Sequence, residues 1–260
     1  ELLDHLASEF MRLGWSRKQL IKRIMMSETY RQASYHPSDG SHRSYQADPL
    51  NRLLSRQNRL RLDAEVLRDS ALAVSGLLKP AIGGPSFRPP LPEDVFDVGR
   101  SSNWQASPGD EIYRRSLYII TLRSVLYPTL TTFDAPDAAD ACVRRERSNT
   151  PLQALTMMND GVFVEAAQSV ALRALSESPE KPLPHLFRLV LNRDPRPEEL
   201  SRLQTFHGEQ KARVQQGGST ALQVLGTHQK AISPAQAKEA ATLVVVARVL
   251  MNLDEFINRE

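Results

Sequence analysis

Cysteine is nearly absent from this sequence, since Cys142 is the single one among 260 residues. An internal disulfide needs two thiols, and covalent attachment of a c-type haem through a Cys-x-x-Cys-His motif needs two as well. The residues of this chain can therefore build neither. One thiol is compatible with oxidising and reducing compartments alike, so the scarcity of cysteine does not locate the protein in the cell.

Long apolar runs are missing too. The longest, from Leu243 to Ala247, is far shorter than the roughly 18 apolar residues that a membrane span needs. No basic stretch followed by an apolar core and a cleavage site is found. The sequence opens directly on an amphipathic helical pattern from Leu2 to Met11, which indicates a fragment cut from the interior of a larger protein.

A strong excess of one charge is the third absence. Lys and Arg number 33 against 30 Asp and Glu, which gives a formal net charge of +3. Arg52, Arg56 and Arg59 follow helical spacing and could track phosphates, but acidic residues follow them at once and favour a solvated or internally paired face. We therefore expect no nucleic-acid partner.

Residue types that often mark chemistry form no complete motif here. The six histidines lack His-x-x-Glu-His or similar ligand spacing, so we expect no metal site. Gly83-Gly84-Pro85-Ser86 lacks the Lys-Ser/Thr ending of a phosphate loop and is interpreted as a tight turn. Cys142 is interpreted as a buried structural thiol, with a reactive thiol and a link to a companion domain left as alternatives.

Signals that start and stop helices are frequent, and they predict a mainly α fold. Asp48-Pro49 is predicted to open a helical region that runs to Gly76 with one break. Its predicted apolar side consists of Leu50, Leu53, Leu54, Leu60, Leu62, Val66, Leu67 and Leu72. The other predicted helices are 2–13, stopped at Gly14; one opened by a capping box of Ser16 and Gln19; one from Pro151; one from Asn159-Asp160 through Leu175; and 184–192, 197–216 and 234–252.

The middle of the chain has a different character. Proline and glycine pairs between Pro80 and Pro108 predict a long loop, and β-branched and aromatic residues between Tyr113 and Leu126 are compatible with one strand. We expect a mainly α, irregular multi-helix domain with a long Pro/Gly-rich loop and at most a short β element. It would be a single mostly helical region over 1–260, with a subdivision into 1–79 helical, 80–148 loop-rich and 149–260 helical.

Polar residues are densest between Phe133 and Asp160, and we call this stretch the polar segment. Its candidate functional residues combine carboxylates, forked guanidinium donors, a thiol and residues that cap helices: Asp134, Asp137, Cys142, Arg144, Arg145, Arg147, Asn149, Thr150, Gln153, Asn159 and Asp160. In one interpretation the arginines and the helix start at Pro151 bind an anion or a substrate.

The other interpretation of the polar segment is structural, and we favour it. Asn149 or Thr150 would cap the helix that begins at Pro151. The arginines would then pair internally with Asp134, Asp137 and Glu146 and hold a loop on the helical body. A concave pocket in which Asp134 or Asp137 meets Arg144 or Arg145 would favour the substrate site instead.

Ordered strings along the chain resemble a known family. The most specific is Asn149-Thr150-Pro151-Leu152-Gln153-Ala154-Leu155. The weaker ones are Glu1-Leu2-Leu3-Asp4, Tyr30-Arg31-Gln32, Asn51-Arg52-Leu53-Leu54, Arg61-Leu62-Asp63-Ala64-Glu65, Gly83-Gly84-Pro85-Ser86, residues 113–118, Phe133-Asp134-Ala135-Pro136-Asp137, Cys142, Arg144-Arg145, Asn159-Asp160 and residues 247–256. In this order they resemble the planctomycete-type domain of unknown function 1553, the C-terminal domain of large cytochrome-associated proteins.

The resemblance implies a context more than a mechanism, because the family brings no established activity. It implies a bacterial extracytoplasmic protein with companion N-terminal domains on the same polypeptide and a c-type haem in a companion domain, with no cofactor in this chain. Our preferred hypothesis is a non-catalytic scaffold or interaction module. The alternative is an enzyme domain, hydrolytic and acting on polysaccharide, that uses carboxylates and arginines of the polar segment; the sequence names no small-molecule ligand for either.

Overall fold

A computed structural model describes residues 1–34, 46–91, 104–122, 126–137, 140–216 and 220–259. Most of these residues are helical, and the paired strands are two residues long, which confirms the mainly α fold class. The chain divides into two compact units, Glu1–Leu60 with Asn258–Glu260 and Arg61–Ile257. The subdivision at residues 79 and 148 stays a prediction.

The first unit begins with a helical hairpin, as the sequence predicted. Helix α1 (Leu2–Arg12) ends before Gly14 and Trp15, which have φ of 61° each. Helix α2 (Arg17–Met25) starts where Ser16 Oγ accepts a hydrogen bond from the Gln19 N–H at 3.4 Å, so half of the predicted capping box is present. Phe10 and Trp15 meet edge to face with ring centroids 5.3 Å apart.

The helix predicted from Asp48-Pro49 was wrong for residues 48–59, which form turns. The Asp48 carboxylate accepts hydrogen bonds from the N–H groups of Arg52 and Leu53 at 2.9 and 2.7 Å. Asn51 and Leu54 have positive φ, which no α-helix contains. Of the predicted apolar side, Leu50, Leu53 and Leu54 are exposed, whereas Leu67 and Leu72 are buried on the helix that forms from Ala64 to Ser75.

The second unit is a bundle of helices around one core. Its elements are strand β1 (Leu60–Arg61, at the boundary), α3 (Ala64–Ser75), 3₁₀ turns at Gly109–Tyr113 and Ser116–Tyr118, α4 (Pro128–Thr132), α5 (Pro151–Asn159), α6 (Gly161–Glu177), α7 (Pro182–Leu191), α8 (Pro197–Gln216), α9 (Thr220–Leu225), a 3₁₀ turn at Gly226–Ala231, α10 (Pro234–Met251) and α11 (Asp254–Ile257). Strand β2 (Asn258–Arg259) belongs to the first unit, as does Leu60 of β1, and the two strands pair. The predicted helices after Pro151 are confirmed with shifted ends, whereas α4, α9 and α11 were not predicted. Gly217-Gly218-Ser219, a string that marks a loop in the sequence, lies outside the described residues.

Helix α6 is the centre of the core, because it packs against α3, α7 and α10. Its inward face is lined with small residues, and Ala166, Ala167, Ala171 and Ala174 have no solvent exposure. Helix α10 contributes Ala240, Ala241 and Ala247, which are fully buried as well. Side chains this short let the helices approach closely, and the larger residues between them fill the space that remains.

The strand suggested between Tyr113 and Leu126 was wrong for the described part, which forms two 3₁₀ turns and isolated bridges from Lys79 to Arg114 and from Phe87 to Ile119. Hydrogen bonds from side chains, rather than a β-ladder of backbone hydrogen bonds, fix the backbone in this stretch. The predicted loop is confirmed over 80–91 and 104–108, and its remainder, 92–103, lies outside the described residues. The described part of this loop contributes to a small second hydrophobic core, which consists of Phe87, Leu91, Trp104, Ile119 and Tyr127.

Within the described part of the chain, none of the helices combines the length and the apolar character that crossing a membrane would require.

The close packing of α6 leads to a testable expectation. Ala171→Leu adds three carbons at a fully buried position, and overpacking of this kind costs about 1 to 3 kcal/mol of unfolding free energy. Urea denaturation followed by circular dichroism measures the change. Ala73→Leu is the matched control, because Ala73 lies on the exposed side of α3; equal losses in the two variants would contradict the packing described here.

Candidate functional site

Three residues of the polar segment form a closed hydrogen-bonded cluster, Asp134, Ser148 and Gln153, which we call the clamp. Ser148 donates to the Asp134 carboxylate from its N–H at 2.8 Å and from its hydroxyl at 2.8 and 2.9 Å. Gln153 is 1% exposed, and its Nε2 donates to the Thr132 carbonyl at 3.0 Å, to Ser148 Oγ at 3.0 Å and to Asp134 Oδ2 at 3.3 Å. The clamp therefore fastens the end of α4 to the start of α5.

Thr150, and not Asn149, caps α5. Thr150 Oγ1 accepts the Gln153 N–H at 3.3 Å, and Gln153 Oε1 accepts the Thr150 N–H at 3.4 Å, which completes a capping box. Asn149 Oδ1 instead accepts a hydrogen bond from Arg61 at 3.3 Å. Of the two caps that the sequence left open, the structure selects the threonine.

Arg145 and Arg147 bind carboxylates at the start of α3. Arg145 makes a bidentate pair with Glu65 at 2.6 and 3.0 Å, and Arg147 lies 3.4 Å from Asp63. Burial alone would raise the pKa of the Glu65 carboxyl, but the hydrogen bond from Arg145 and the backbone outweigh it and leave that pKa below its ordinary value. Both pairs are partly exposed, with side-chain exposures of 38% for Arg145 and 24% for Glu65. Glu65 and Asp63 are not among the partners that the sequence predicted for these arginines, which were Asp134, Asp137 and Glu146.

Asn159 and Asp160 form the corner between α5 and α6. Asp160 Oδ1 accepts the Val162 N–H at 3.0 Å and so caps α6, while its Oδ2 accepts the Thr129 hydroxyl at 2.6 Å. Asn159 donates to the Leu155 carbonyl at 2.8 Å and accepts from Arg248 at 3.4 Å. Both residues therefore have structural partners, and Asp160 also lines the cavity described below.

Three candidate residues of the polar segment lie at the surface: Asp137, Cys142 and Arg144. Cys142 is exposed, so the interpretation as a buried structural thiol was wrong. Arg144 is exposed and lines an open depression with the residues that follow it through Ser148, into which neither Asp134 nor Asp137 extends. The described residues thus do not form the pocket of opposed aspartates and arginines that would indicate a substrate site.

A cavity of about 510 Å³ lies elsewhere in the second unit, and sequence analysis did not predict it. Its polar lining includes Arg68 from α3, Tyr113 from a 3₁₀ turn, Tyr127, and Asp160 and Glu165 at the start of α6. Its apolar lining includes Pro89, Pro90, Leu91, Val162 and Val164. The lining residues come from six separate stretches of sequence, so no local motif marks the cavity.

Two hydrogen-bonded groups give this cavity its polar character. The Tyr113 hydroxyl donates a hydrogen bond to Glu165 Oε1 at 2.6 Å. Burial is the larger cause that raises the pKa of Tyr113, and Glu165 raises it further, so the hydroxyl keeps its proton as a donor. Arg68 is 1% exposed and donates to the carbonyls of Ile112 and Arg114 at 2.6 and 3.1 Å and to the Ser116 hydroxyl at 3.1 Å. The buried Nε of Arg68 has no hydrogen-bond partner in the described part of the chain.

The first unit presents a different feature, the exposed apolar face of its hairpin. Helices α1 and α2 contain no buried residue, although both are amphipathic. Leu6, Phe10, Leu20 and Ile24 are only half-buried. The apolar face consists of large side chains that are half or more exposed: Leu2, Leu3, Met11, Trp15, Ile21, Met25 and Met26.

Among the described residues, no group of three or more His, Cys, Asp or Glu side chains is arranged to hold a metal ion. Cys142 is the single cysteine, so the sequence lacks the Cys-x-x-Cys-His motif of a covalently attached c-type haem. The candidate functional features are therefore the clamp, the ion pairs of Arg145 and Arg147, the cavity, and the apolar face of the hairpin.

Comparison with known proteins gives one match. The family model described as PSD1, protein of unknown function (DUF1553), matches residues 1–207, which is more than three quarters of the chain. The matched range contains the hairpin, the clamp and most of the cavity lining, and it ends before the resembling residues 247–256. No curated protein and no solved structure matches the chain.

Removing the clamp should cost more stability than removing an ion pair. Gln153→Ala removes the donor to the partly buried Thr132 carbonyl and one of the donors to the Asp134 carboxylate, which keeps those of Ser148, and should cost about 1 to 3 kcal/mol. Arg145→Ala breaks a partly exposed pair, for which about 0 to 1 kcal/mol is expected. Urea denaturation compares both variants with Arg144→Ala, whose side chain is exposed. If Arg145→Ala cost more than Gln153→Ala, the ion pair rather than the clamp would be the main fastening.

The two candidate caps of α5 should respond differently to the same change. Thr150→Ala removes the capping hydroxyl and should lower the unfolding free energy by about 0.5 to 2 kcal/mol. Asn149→Ala removes one exposed hydrogen bond and should leave it within about 0.5 kcal/mol of the parent. Thermal melts measure both, and a larger loss for Asn149→Ala would reverse the assignment of the cap.

Proposed function

We propose, from the premise that the chain belongs to the family of proteins of unknown function DUF1553, that it is a non-catalytic interaction module of a larger extracytoplasmic protein. In this proposal the hairpin α1–α2 binds a companion domain of the same polypeptide. The c-type haem that the resemblance implies belongs to that companion domain, and the chain described here holds no haem of its own.

The apolar face of the hairpin carries this proposal. An amphipathic helix gains most of its stability by packing its apolar side against another surface. Helices α1 and α2 pack against each other along only part of that side, and no residue of either is buried. Contiguous exposed apolar surface of this kind marks sites where another protein surface binds.

Charge and composition narrow the chemistry of the partner. Lys18 and Lys22 flank Ile21, Met25 and Met26 around an apolar groove of about 370 Å³. Methionine side chains are flexible and adapt to an irregular apolar surface. A companion surface with an apolar ridge bordered by carboxylates would fit this groove, because the lysines would then face opposite charges.

The alternative function, an enzyme domain acting on polysaccharide through the polar segment, has less support. Its carboxylates and arginines would need to face a substrate. Asp134 is engaged by Ser148 and Gln153, Asp160 caps α6, and Arg145 pairs with Glu65. These contacts favour a structural role for the segment.

The proposal predicts that substitutions in the apolar face of the hairpin have an effect only when the companion domain is present. The double substitution Ile21→Ser and Met25→Ser changes side chains that are 53% and 50% exposed in this chain. In residues 1–260 alone it should change the unfolding free energy by no more than about 0.5 kcal/mol. In the full-length gene product it should abolish the protection of α2 from hydrogen exchange and make the linker between the domains sensitive to proteolysis.

The control variant is Leu155→Ser, which changes a similarly exposed leucine on α5. It should leave the protection of α2 intact in both proteins. Equal hydrogen exchange of α2 in the full-length product and in residues 1–260 would contradict the proposal, as would a full-length product without a companion domain.

A further inference from the structure

The 510 Å³ cavity of the second unit contains a carboxylate that has no ion-pair partner among the described residues. The cavity is bounded by α3, the start of α6, the turn at Gly226 and the loop at 89–91, and neither the clamp nor the hairpin contributes to its lining. Its volume falls within the roughly 300 to 1,000 Å³ of small-molecule sites, and like them it combines apolar walls with a few polar groups.

Glu165 is this carboxylate. Its Oε1 accepts the Tyr113 hydroxyl at 2.6 Å, whereas its Oε2 receives no hydrogen bond from the described residues. The unpaired polar atoms that are closed to solvent in the described part of the chain do not include this oxygen, so Oε2 has accessible surface. None of the ion pairs in that part of the chain involves Glu165. A ligand can therefore reach an acceptor that the protein leaves open.

Arg68 forms part of the cavity wall, but its donors are not available to a ligand. The side chain is 1% exposed, and its hydrogen bonds go to two backbone carbonyls and to the Ser116 hydroxyl. Burial is the main cause that lowers the pKa of Arg68, and the charges of Asp69 and Asp160 oppose this lowering. The positive charge of the wall is thus enclosed and has anionic neighbours of its own.

Asp160, the second carboxylate of the lining, is engaged by the protein. Its Oδ1 accepts the Val162 N–H at 3.0 Å and its Oδ2 accepts the Thr129 hydroxyl at 2.6 Å. Glu165 is therefore the carboxylate that keeps an acceptor free for a ligand. A partly buried charge without a counter-charge is unfavourable, and a cation bound beside it removes that cost.

The open carboxylate selects the class of ligand by charge. An anion would face Glu165 and Asp160 and be repelled by both. A neutral hydroxyl could donate to Oε2 but would leave the charge of Glu165 uncompensated. An ammonium group donates and compensates the charge together, and a hydrogen bond between two ionised groups is about twice as strong as one between neutral groups. The proline, leucine and valine walls suit an apolar body attached to that ammonium.

We infer that this cavity binds an organic ammonium, a protonated primary amine on an apolar chain or ring, whose N–H group donates to Glu165 Oε2. Binding requires no covalent step, so it is compatible with a non-catalytic module. It concerns a different part of the chain from the apolar face of the hairpin, so either proposal can fail without the other.

Isothermal calorimetry on residues 1–260 at neutral pH tests the inference with probes that differ only in their polar group. One set is hexylamine, 1-hexanol and hexanoate, and the other is phenethylamine, 2-phenylethanol and phenylacetate. In at least one set the amine should bind about tenfold or more tightly than the alcohol, and the carboxylate should bind most weakly. Equal binding of amine and alcohol in both sets, or tighter binding of the carboxylate, would overturn the ligand class, and binding by none of the six would overturn the site.

Glu165→Gln separates the charge of the site from its shape. Glutamine keeps an oxygen to accept the Tyr113 hydroxyl but carries no charge, so the advantage of the amine over the alcohol should disappear. Glu180→Gln is the matched control on an exposed residue between α6 and α7, and it should keep that advantage unchanged. An amine that binds Glu165→Gln as tightly as the parent would show that Glu165 is not its partner.

A second variant tests the space without changing the polar groups. Val164→Phe places a larger side chain in the cavity wall and should weaken the binding of amine and alcohol alike, while a retained cooperative melt shows that the variant folds. Undiminished binding of the amine to a folded Val164→Phe variant would place the ligand outside this cavity and overturn the inference.

Discussion

Hydrogen bonds from a buried cation, Arg68, join the loop-rich part of the second unit to helix α3. Taking a guanidinium out of water is costly unless its donors find acceptors. Arg68 finds them in the carbonyls of Ile112 and Arg114 and in the Ser116 hydroxyl, and its guanidinium carbon lies 5.7 Å from the centre of the Phe87 ring. The residues around 112–116 form only 3₁₀ turns and an isolated bridge, so this side chain adds hydrogen bonds to a sparse backbone pairing. One wall of the cavity is thereby attached to α3, and through α3 to the α6 core.

The sequence predicted the helices whose ends are set locally. Thr150 with Gln153, Asp160 and the prolines at 151, 197 and 234 act within one turn, and the structure places helix starts at each of them. The same local signal predicted a helix start at Asp48-Pro49, and that prediction was wrong. There the Asp48 side chain accepts two backbone N–H groups as a cap would, but Asn51 and Leu54 take positive φ and the chain turns away. A cap and a turn use the same aspartate, and only later residues distinguish them.

The polar segment could be located from the sequence, but its partners could not. Arg145 pairs with Glu65 and Arg147 with Asp63, each about 80 positions away in the chain. The sequence offered nearer carboxylates, and nothing local favoured the distant ones. The cavity was missed for the same reason, because Arg68, Tyr113 and Glu165 belong to three separate segments. The exposure of Cys142 likewise follows from the tertiary path of the loop, which residue type does not determine.

The corner at Asp160 has a consequence for how the chain can vary in length. Asp160 is both the residue that ends α5 and the residue that caps α6, so no spare residue separates the two helices. One residue inserted into α5 before the corner would turn the preceding part of that helix by about 100° relative to α6. Gln153 would then rotate out of the clamp while Phe163, on the other side, kept its place in the core. The stretch from Gln153 to Phe163 therefore acts as a fixed spacer, tolerant of changed surface residues and intolerant of changed length.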